Sequence, residues 1–356
     1  MANNARTHLT LYLTSGYVLL IIYASLYPLA GWHDSGGNPL AFLGAAWPRY
    51  YTVFDLVINI LAYIPFGFFC TTALRRRLAP LSAWLAAALL GGGLSFTMEL
   101  VQNYLPSRVP SNLDLACNTA GALLGGLIGA RWGSRALNDG RLARWRRQMM
   151  MQAYGVDIGV LLIAGWLMTQ LSPEILLFGS GDLRQILGLP PVQPFLAERF
   201  VSLEAAVAAS GLLAAGLIAT LLLRRNGRLL TGGLLLTAVL IKTMAYALLM
   251  GPGAAMTWIT PGNSIGMAIG LVLWWSASFL VFPLQRAAAA LALLFATVMV
   301  NVAPENPYLL NTLQAWNPGQ FLNFNGLTRL VCSLWPFLAM PWLMIYRPEQ
   351  HNALNY

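Results

Sequence analysis

The sequence predicts an all-α, polytopic integral membrane protein with about ten transmembrane helices and both termini inside (N-in/C-in). Of its 356 residues, 58% are hydrophobic and only 9% are charged, and the mean hydropathy is +0.63. Soluble domains carry about 25% charged residues, so this chain has too little charge to cover a water-facing surface. A soluble enzyme is therefore excluded, and the apolar runs and arginine positions define the predicted topology.

Each predicted span is an apolar run long enough to cross the hydrocarbon core, which needs about 20 residues. The ten spans are predicted at 9–30, 51–74, 79–105, 112–130, 153–171, 200–223, 229–250, 264–283, 287–303 and 326–346. The first is predicted to be a retained helix, because its apolar core is long and the sequence from Tyr27 to Trp32 is a poor small-residue cleavage site. The ninth is predicted to be the shortest.

Arginine positions set the predicted orientation, because cytoplasmic connections are enriched in Lys and Arg. The inner arginines would be Arg6, Arg75, Arg76, Arg77, Arg131, Arg135, Arg141, Arg144, Arg146, Arg147, Arg224, Arg225, Arg228, Arg286 and Arg347. The outer loops would hold only Arg49, Arg108, Arg184 and Arg199. The net charge of +9 is thus explained by topology. Membrane lipids are the expected partners, and nucleic acid is not.

Two bundles are predicted, because the longest inner connection, 131–150, carries six arginines and separates four spans from six. The predicted parts are a four-helix unit at 1–135, a basic cytoplasmic linker at 136–150, and a second bundle of unknown role at 151–356. The three cysteines and three histidines form neither a CxxC motif nor a metal-ligand spacing. No cofactor is evident from these residues.

Polar side chains inside a membrane are costly and mark functional sites, and here they collect in spans two to four. The set comprises Asp55, Asn59, Glu99, Gln102, Arg108, Asp114 and Asn118. Within each span the members are three or four residues apart and therefore share a helix face. The predicted topology places them near the outer ends of their helices, so we expect one polar pocket open to the periplasm or exterior.

A structural role is the alternative for part of this set. Asp114 follows Ser111 and Asn112, and an acidic residue in the first turn stabilises a helix N-terminus. The carboxylates are also candidates to pair with Arg108 and hold a hairpin. Ser111 and Ser107 are predicted to be turn and cap residues. Gly121, Gly125 and Gly129 form a GxxxGxxxG ridge, which predicts close helix packing.

The same residues carry a family resemblance. The pattern is Asp55-x3-Asn59-x5-Pro65-x-Gly67, then Glu99-x2-Gln102, then Pro106-x-Arg108-x2-Ser111-x2-Asp114-x3-Asn118-x2-Gly121-x3-Gly125. It resembles the VanZ-like membrane family over residues 10–130. The resemblance implies a four-helix membrane unit of the cell envelope. It links the chain to a family whose founding member is associated with resistance to the glycopeptide teicoplanin, and some of whose members occur beside exopolysaccharide genes.

Three functions remain open at this point. In an enzyme acting on an envelope lipid or lipid-linked glycan, Arg108 would hold a phosphate or carboxylate. Asp55, Glu99 and Asp114 would act as general base or as ligands of Mg²⁺ or Ca²⁺. Asn59, Gln102 and Asn118 would orient the substrate. The sequence contains no GxSxG nucleophile motif, so catalysis is left undecided.

The two other functions are binding without turnover and transport. A non-catalytic accessory protein would use the same pocket for a glycopeptide, a lipid-linked glycan or an assembly partner. A transporter or flippase would use all ten spans, and its best sequence pointers are Lys242 in span seven and Arg329 in span ten. The outer segment 316–325 mixes aromatic and amide side chains and is predicted to be an interfacial belt, with sugar stacking as the alternative.

Overall fold

The fold is all-α. A computed structural model describes residues 9–27, 29–34, 36–47, 53–140, 144–145, 148–151, 153–190, 194–224, 227–304 and 322–348. The long helices are α1 Leu9–Leu26, α2 Val53–Leu74, α3 Pro80–Gln102, α4 Asn112–Ile128, α5 Val156–Thr169, α6 Ala197–Leu222, α7 Gly227–Met250, α8 Pro261–Ala277, α9 Phe282–Val302 and α10 Leu322–Ile345. A π-helix, Gly129–Asp139, follows α4 directly. Two-residue strands, Ala153–Tyr154 and Arg347–Pro348, pair antiparallel.

Every predicted span corresponds to one of these helices. Eight of them are long and apolar enough to cross a membrane, which confirms a polytopic membrane protein. The other two, α5 and α8, have 14 and 17 residues, so ten crossings and the N-in/C-in orientation stay predictions. The ninth span was predicted to be the shortest, and this prediction is wrong, because the helix has 21 residues. The helix begins at Phe282, five residues before the predicted start, with Pro283 in its first turn, and it therefore includes the polar Gln285 and Arg286.

The chain divides into two compact units, Met1–Arg146 and Arg147–Tyr356. The division falls inside the segment predicted to be a linker. The π-helix takes up the first part of that segment, through Asp139. The segment 316–325 lies outside the residues whose side chains the structure describes.

Close approach of α2 and α4 defines the first unit. A Cβ atom on Gly121 would collide with the carbonyl oxygen of Ile60, and one on Gly125 with that of Ile64. Across the same contact, Gly67 of α2 lies against the backbone of Ala122. Such contacts let two backbones pack without intervening side chains, which is how small residues hold membrane helices together. The predicted packing role of the glycine ridge is confirmed.

A central helix organises the second unit. Nearly all of the middle of α6 is buried, and it contacts α5, α7, α8 and α9. Alanine and glycine on α6 and α8 let these two helices approach closely, as where Gly266 lies against Ala205. Large aromatic side chains, including Trp166, Trp274 and Trp342, are buried in the core of this unit.

An irregular segment, residues 170–183, follows α5 in the second unit. The sequence predicts an outer loop at 172–199, yet the first part of it is buried. Leu177 and Phe178 are at most 1% exposed, and Trp166 stacks on Phe178 with ring centroids 5.6 Å apart. Its apolar side chains therefore enter the core of the unit, which an exposed connection would not allow.

Candidate functional site

The predicted polar residues of the first unit do come to one end of the helices, and they form two layers there. We call Asp55, Asn59 and Asp114 the outer layer. Asp55 and Asp114 are each the third residue of their helix. The Asn59 side-chain amide donates a hydrogen bond of 2.8 Å to the Asp114 carboxylate. Asp55 is exposed and Asp114 is half-buried, and the two carboxylates interact electrostatically.

The start of α4 is held by a cap. The Ser111 hydroxyl accepts a 3.3 Å hydrogen bond from the backbone N–H of Asp114, so the predicted cap role of Ser111 is confirmed. This bond satisfies one of the four amides that have no partner at a helix N-terminus. It also fixes the backbone from which the Asp114 side chain extends toward Asn59.

We call Glu99, Ser95, Asn118 and Tyr63 the inner layer. All four side chains are buried, and Glu99 is 3% exposed. The Glu99 carboxylate accepts a 2.8 Å hydrogen bond from the backbone N–H of Ser111, and the Asn118 amide donates to the Ser95 hydroxyl at 2.9 Å. Within the described residues, the Asn118 Oδ1 has no partner. One acceptor is thus available to a water molecule or a ligand group.

Arg108 and Gln102 bind the end of α1 and not the two polar layers. The Arg108 guanidinium donates to the carbonyl oxygens of Ala24 and Tyr27, and the Gln102 amide donates to that of Ser25 at 2.9 Å. These carbonyls belong to the C-terminal end of α1, where a helix has no backbone donors of its own. A cation there also suits the helix dipole. Both side chains therefore hold α1 against the α3–α4 hairpin.

The charge of Arg108 remains part of the site. Burial lowers the pKa of its guanidinium, and the negative charge of Glu99 opposes that shift. An arginine nevertheless stays protonated in proteins. Its positive charge therefore partly offsets the buried Glu99, while its N–H donors are directed to backbone oxygens. Anion binding by Arg108 stays a prediction, and it would compete with these bonds.

The predicted metal role has limited geometric support. Across the described ranges, no group of three or more His, Cys, Asp or Glu side chains is arranged to hold a metal ion. Glu99 belongs to the inner layer and Asp55 and Asp114 to the outer one. A divalent cation at this end would therefore be held by Asp55 and Asp114, with further oxygens from solvent or ligand.

Sequence reasoning missed Ser95 and Tyr63. The signal was present, because Ser95 precedes Glu99 by four residues and Tyr63 follows Asn59 by four. Each continues the polar face of its helix by one turn. A serine or tyrosine at such a position is common in apolar helices. The only signal that it belongs to the site is that the neighbouring residues on the same helix face are predicted site residues.

These features define a polytopic membrane protein whose N-terminal helices carry an acidic, amide-rich site at one end. Residues 11–132 match the model of the VanZ/LLP1 family. The N-terminal unit is therefore a VanZ-like domain, and the resemblance predicted from its motifs is confirmed. The match spans α1 to α4 and ends at the beginning of the π-helix. No curated protein and no solved structure matches the chain.

Proposed function

We propose that this chain is a cell-envelope protein of the bacterial inner membrane whose VanZ-like domain binds a lipid-linked glycan or a glycopeptide at its outer layer. The arginine distribution supports a periplasmic position for this end of the domain. The observation that carries the proposal is the pairing of Asp114 with Asn59 beside the exposed Asp55. This layer is accessible at Asp55, and Asp114 extends from the capped N-terminus of α4.

Acceptor chemistry favours this ligand class. The outer layer offers two carboxylates, which accept hydrogen bonds from hydroxyl, amide and ammonium groups. Sugars and glycopeptides carry such donors, whereas both carboxylates repel a phosphate, so the layer would contact the glycan part of a lipid-linked glycan and not its phosphate. The guanidinium of Arg108 does not reverse this, because its donors bind the end of α1. A Mg²⁺ or Ca²⁺ ion shared by Asp55, Asp114 and ligand oxygens is a variant of the same proposal.

Mass spectrometry of lipid extracts tests the proposal in cells. A deletion strain is complemented with the wild type, Asp114→Asn, Asp55→Asn or Asp34→Asn. Asp34 is a matched control, because it is an exposed acid whose carboxylate accepts only a local bond from Gly36 in the described part. We expect the deletion and the two outer-layer variants to share an altered profile of lipid-linked glycans, with Asp34→Asn like the wild type. Unchanged envelope lipids and surface polysaccharide in the deletion strain would refute the proposal.

Binding and catalysis are separated by a second measurement on the same strains. The full chain is purified with and without EDTA, and the lipids that co-purify with it are extracted and identified. A binder retains the glycan lipid unchanged, and Asp114→Asn loses it. An enzyme converts the extracted lipid on incubation. Loss of lipid retention or of lipid conversion in EDTA would show that the site needs a divalent cation. Teicoplanin sensitivity of the same strains tests whether the family's resistance phenotype extends to this chain.

Transport of an envelope lipid or glycan precursor is the second candidate. The buried irregular segment 170–183 of the second unit favours it, because non-helical backbone in membrane proteins occurs where it is enclosed by protein or lines a cavity. Reconstitution in proteoliposomes with a fluorescent lipid-linked glycan tests it. Movement between leaflets in the wild type and not in empty vesicles is the expected result for a transporter.

A further inference from the structure

Lys242 is a buried cation in the second unit that the VanZ-like domain does not explain. It is 1% exposed and lies about two helical turns before the end of α7. Its ammonium donates hydrogen bonds of 2.7 Å to the carbonyl oxygens of Ser172 and Ile175. The ring of Tyr246 lies 5.6 Å from the same nitrogen. Both carbonyls belong to the irregular segment.

The irregular segment is fixed from several sides. The Tyr246 hydroxyl donates to the carbonyl oxygen of Pro173 at 3.0 Å, and the Cys332 thiol donates to that of Gly179 at 3.3 Å. Farther along, the Asn301 amide donates to the carbonyl oxygen of Gly181 at 2.7 Å. Side chains of α7, α9 and α10 thus hold its backbone. The carbonyl oxygens that face Lys242 are therefore positioned in advance.

The charge of Lys242 has no counter-charge beside it among the described residues. The acids near this segment, Asp182 and Glu174, pair with Arg184 and Arg329. Glu204, the buried acid of α6, accepts a 2.5 Å hydrogen bond from the Thr260 hydroxyl. Two neutral carbonyls offset only part of the free-energy cost of removing an ion from water.

The segment that binds this ammonium also carries unused hydrogen-bonding groups. An ammonium has three donors, and two are used. Ser172, whose carbonyl binds Lys242, is fully buried, and its hydroxyl has no partner in the described part of the chain. The Gln170 side-chain oxygen, two residues earlier, is also buried without a partner. A buried cation, together with the buried free hydroxyl of a residue whose carbonyl oxygen it binds, suits an anionic oxygen.

We propose that Lys242 and the Ser172 hydroxyl form a binding site for an oxyanion, either a carboxylate or a phosphate group. The ammonium supplies the charge and its third donor, and the serine supplies a second hydrogen bond. The bound anion is the counter-charge that the described residues lack. The phosphate has two sources, a phospholipid headgroup and a soluble phosphate. The site is independent of the acidic outer layer in the VanZ-like domain.

Thermal unfolding of the purified full chain in an uncharged detergent tests this site. Tryptophan fluorescence is followed while sodium phosphate or sodium acetate is titrated, with ionic strength held constant by sodium chloride. A parallel series adds phosphatidic acid to the micelles, with phosphatidylcholine as control. An anion that binds specifically is expected to raise the Tm of the wild type by several degrees, and the increase should saturate as the anion concentration rises. A response to phosphatidic acid alone assigns a lipid headgroup, and a response to the soluble anions assigns a small ligand.

Three variants separate the proposed site from general effects. Lys242→Met is expected to lose the shift, and Ser172→Ala to need about tenfold more ligand, which corresponds to one lost hydrogen bond. Glu204→Gln is expected to respond as the wild type does. Should Lys242→Met not fold, Ser172→Ala decides, because it keeps both carbonyl bonds to the ammonium.

Two results would overturn the proposal. One is a wild type whose Tm is unaffected by every probe, or whose response is unchanged in Lys242→Met and Ser172→Ala. The other is a response that appears only in Glu204→Gln, because the counter-charge of Lys242 would then be Glu204.

Discussion

The two units treat buried charge in opposite ways. In the VanZ-like domain, Asp55, Glu99 and Asp114 lie within the first or last turn of their helices, beside loop amides and helix ends. In the second unit, Lys242 lies in the interior of a 24-residue helix and reaches the carbonyl oxygens of an irregular segment. In the first arrangement, groups at helix ends and in the adjoining loop supply hydrogen-bond partners to the carboxylates, as the backbone N–H of Ser111 does for the buried Glu99.

The difference indicates where each unit can accommodate a ligand. At helix ends the same charged groups can stabilise the helix and bind a ligand. Function therefore has to be sought in the groups that remain accessible. These are Asp55 and Asp114. In the interior a charge without a counter-charge is the exception, and its presence indicates a site by itself. The four predictions below test this contrast.

The largest effect is expected from Gly125→Leu, which attacks the packing on which the acidic site depends. Its side chain would collide with the carbonyl oxygen of Ile64 and separate α2 from α4. Overpacking costs about 1–3 kcal/mol and more where backbone has to move, so we expect at least about 3 kcal/mol. Unfolding of the purified chain by SDS titration measures it. Gly93→Leu is the control, because a Cβ atom there has no neighbour within 4 Å.

Arg108→Met tests whether Arg108 is mainly a structural residue. The change removes the donors that bind the carbonyl oxygens of Ala24 and Tyr27. Hydrogen bonds from a charged group contribute about 1.5–3 kcal/mol, and we expect a loss of about 2 kcal/mol in the same SDS titration. Arg135→Met, at an exposed position of the π-helix, should change stability by less than about 0.5 kcal/mol. Equal stability of the two variants would return Arg108 to the list of ligand-binding candidates.

Glu99 distinguishes a structural acceptor from a chemical acid. Glu99→Ala leaves the backbone N–H of Ser111 without its acceptor and is expected to cost about 1–2 kcal/mol. Glu99→Gln keeps an acceptor oxygen in place and should retain most of that stability. Stability is measured by SDS titration and envelope lipids by mass spectrometry. A stable Glu99→Gln protein with the lipid profile of the deletion strain would show that the carboxylate acts in the function and not only in the fold.

The sequence predicted much of this fold because membrane helices are defined by local composition. Each helix needs only an apolar run of sufficient length, and every one of the ten was placed within a few residues. The predicted span boundaries placed the polar residues near the ends of their helices, and their spacing placed them on shared helix faces. Their partners were not predicted, because the binding of Arg108 and Gln102 to the end of α1 joins residues about 80 positions apart. The burial of segment 170–183 was also missed, because loops rich in Pro and Gly usually lie at the surface.

The smallest effect is expected in the second unit, from Tyr246→Phe. The change removes one hydrogen bond of 3.0 Å to the carbonyl oxygen of Pro173 and leaves the ring beside Lys242. A single neutral hydrogen bond contributes about 0.5–1.5 kcal/mol, so we expect a loss of about 1 kcal/mol in SDS titration. Tyr104→Phe is the control, because the Tyr104 side chain is exposed. If the irregular segment is rigid, Tyr246→Phe also weakens the phosphate or acetate response, because the carbonyl oxygens facing Lys242 become less well positioned. An unchanged response with reduced stability would mean that Lys242 alone holds that part of the segment in place.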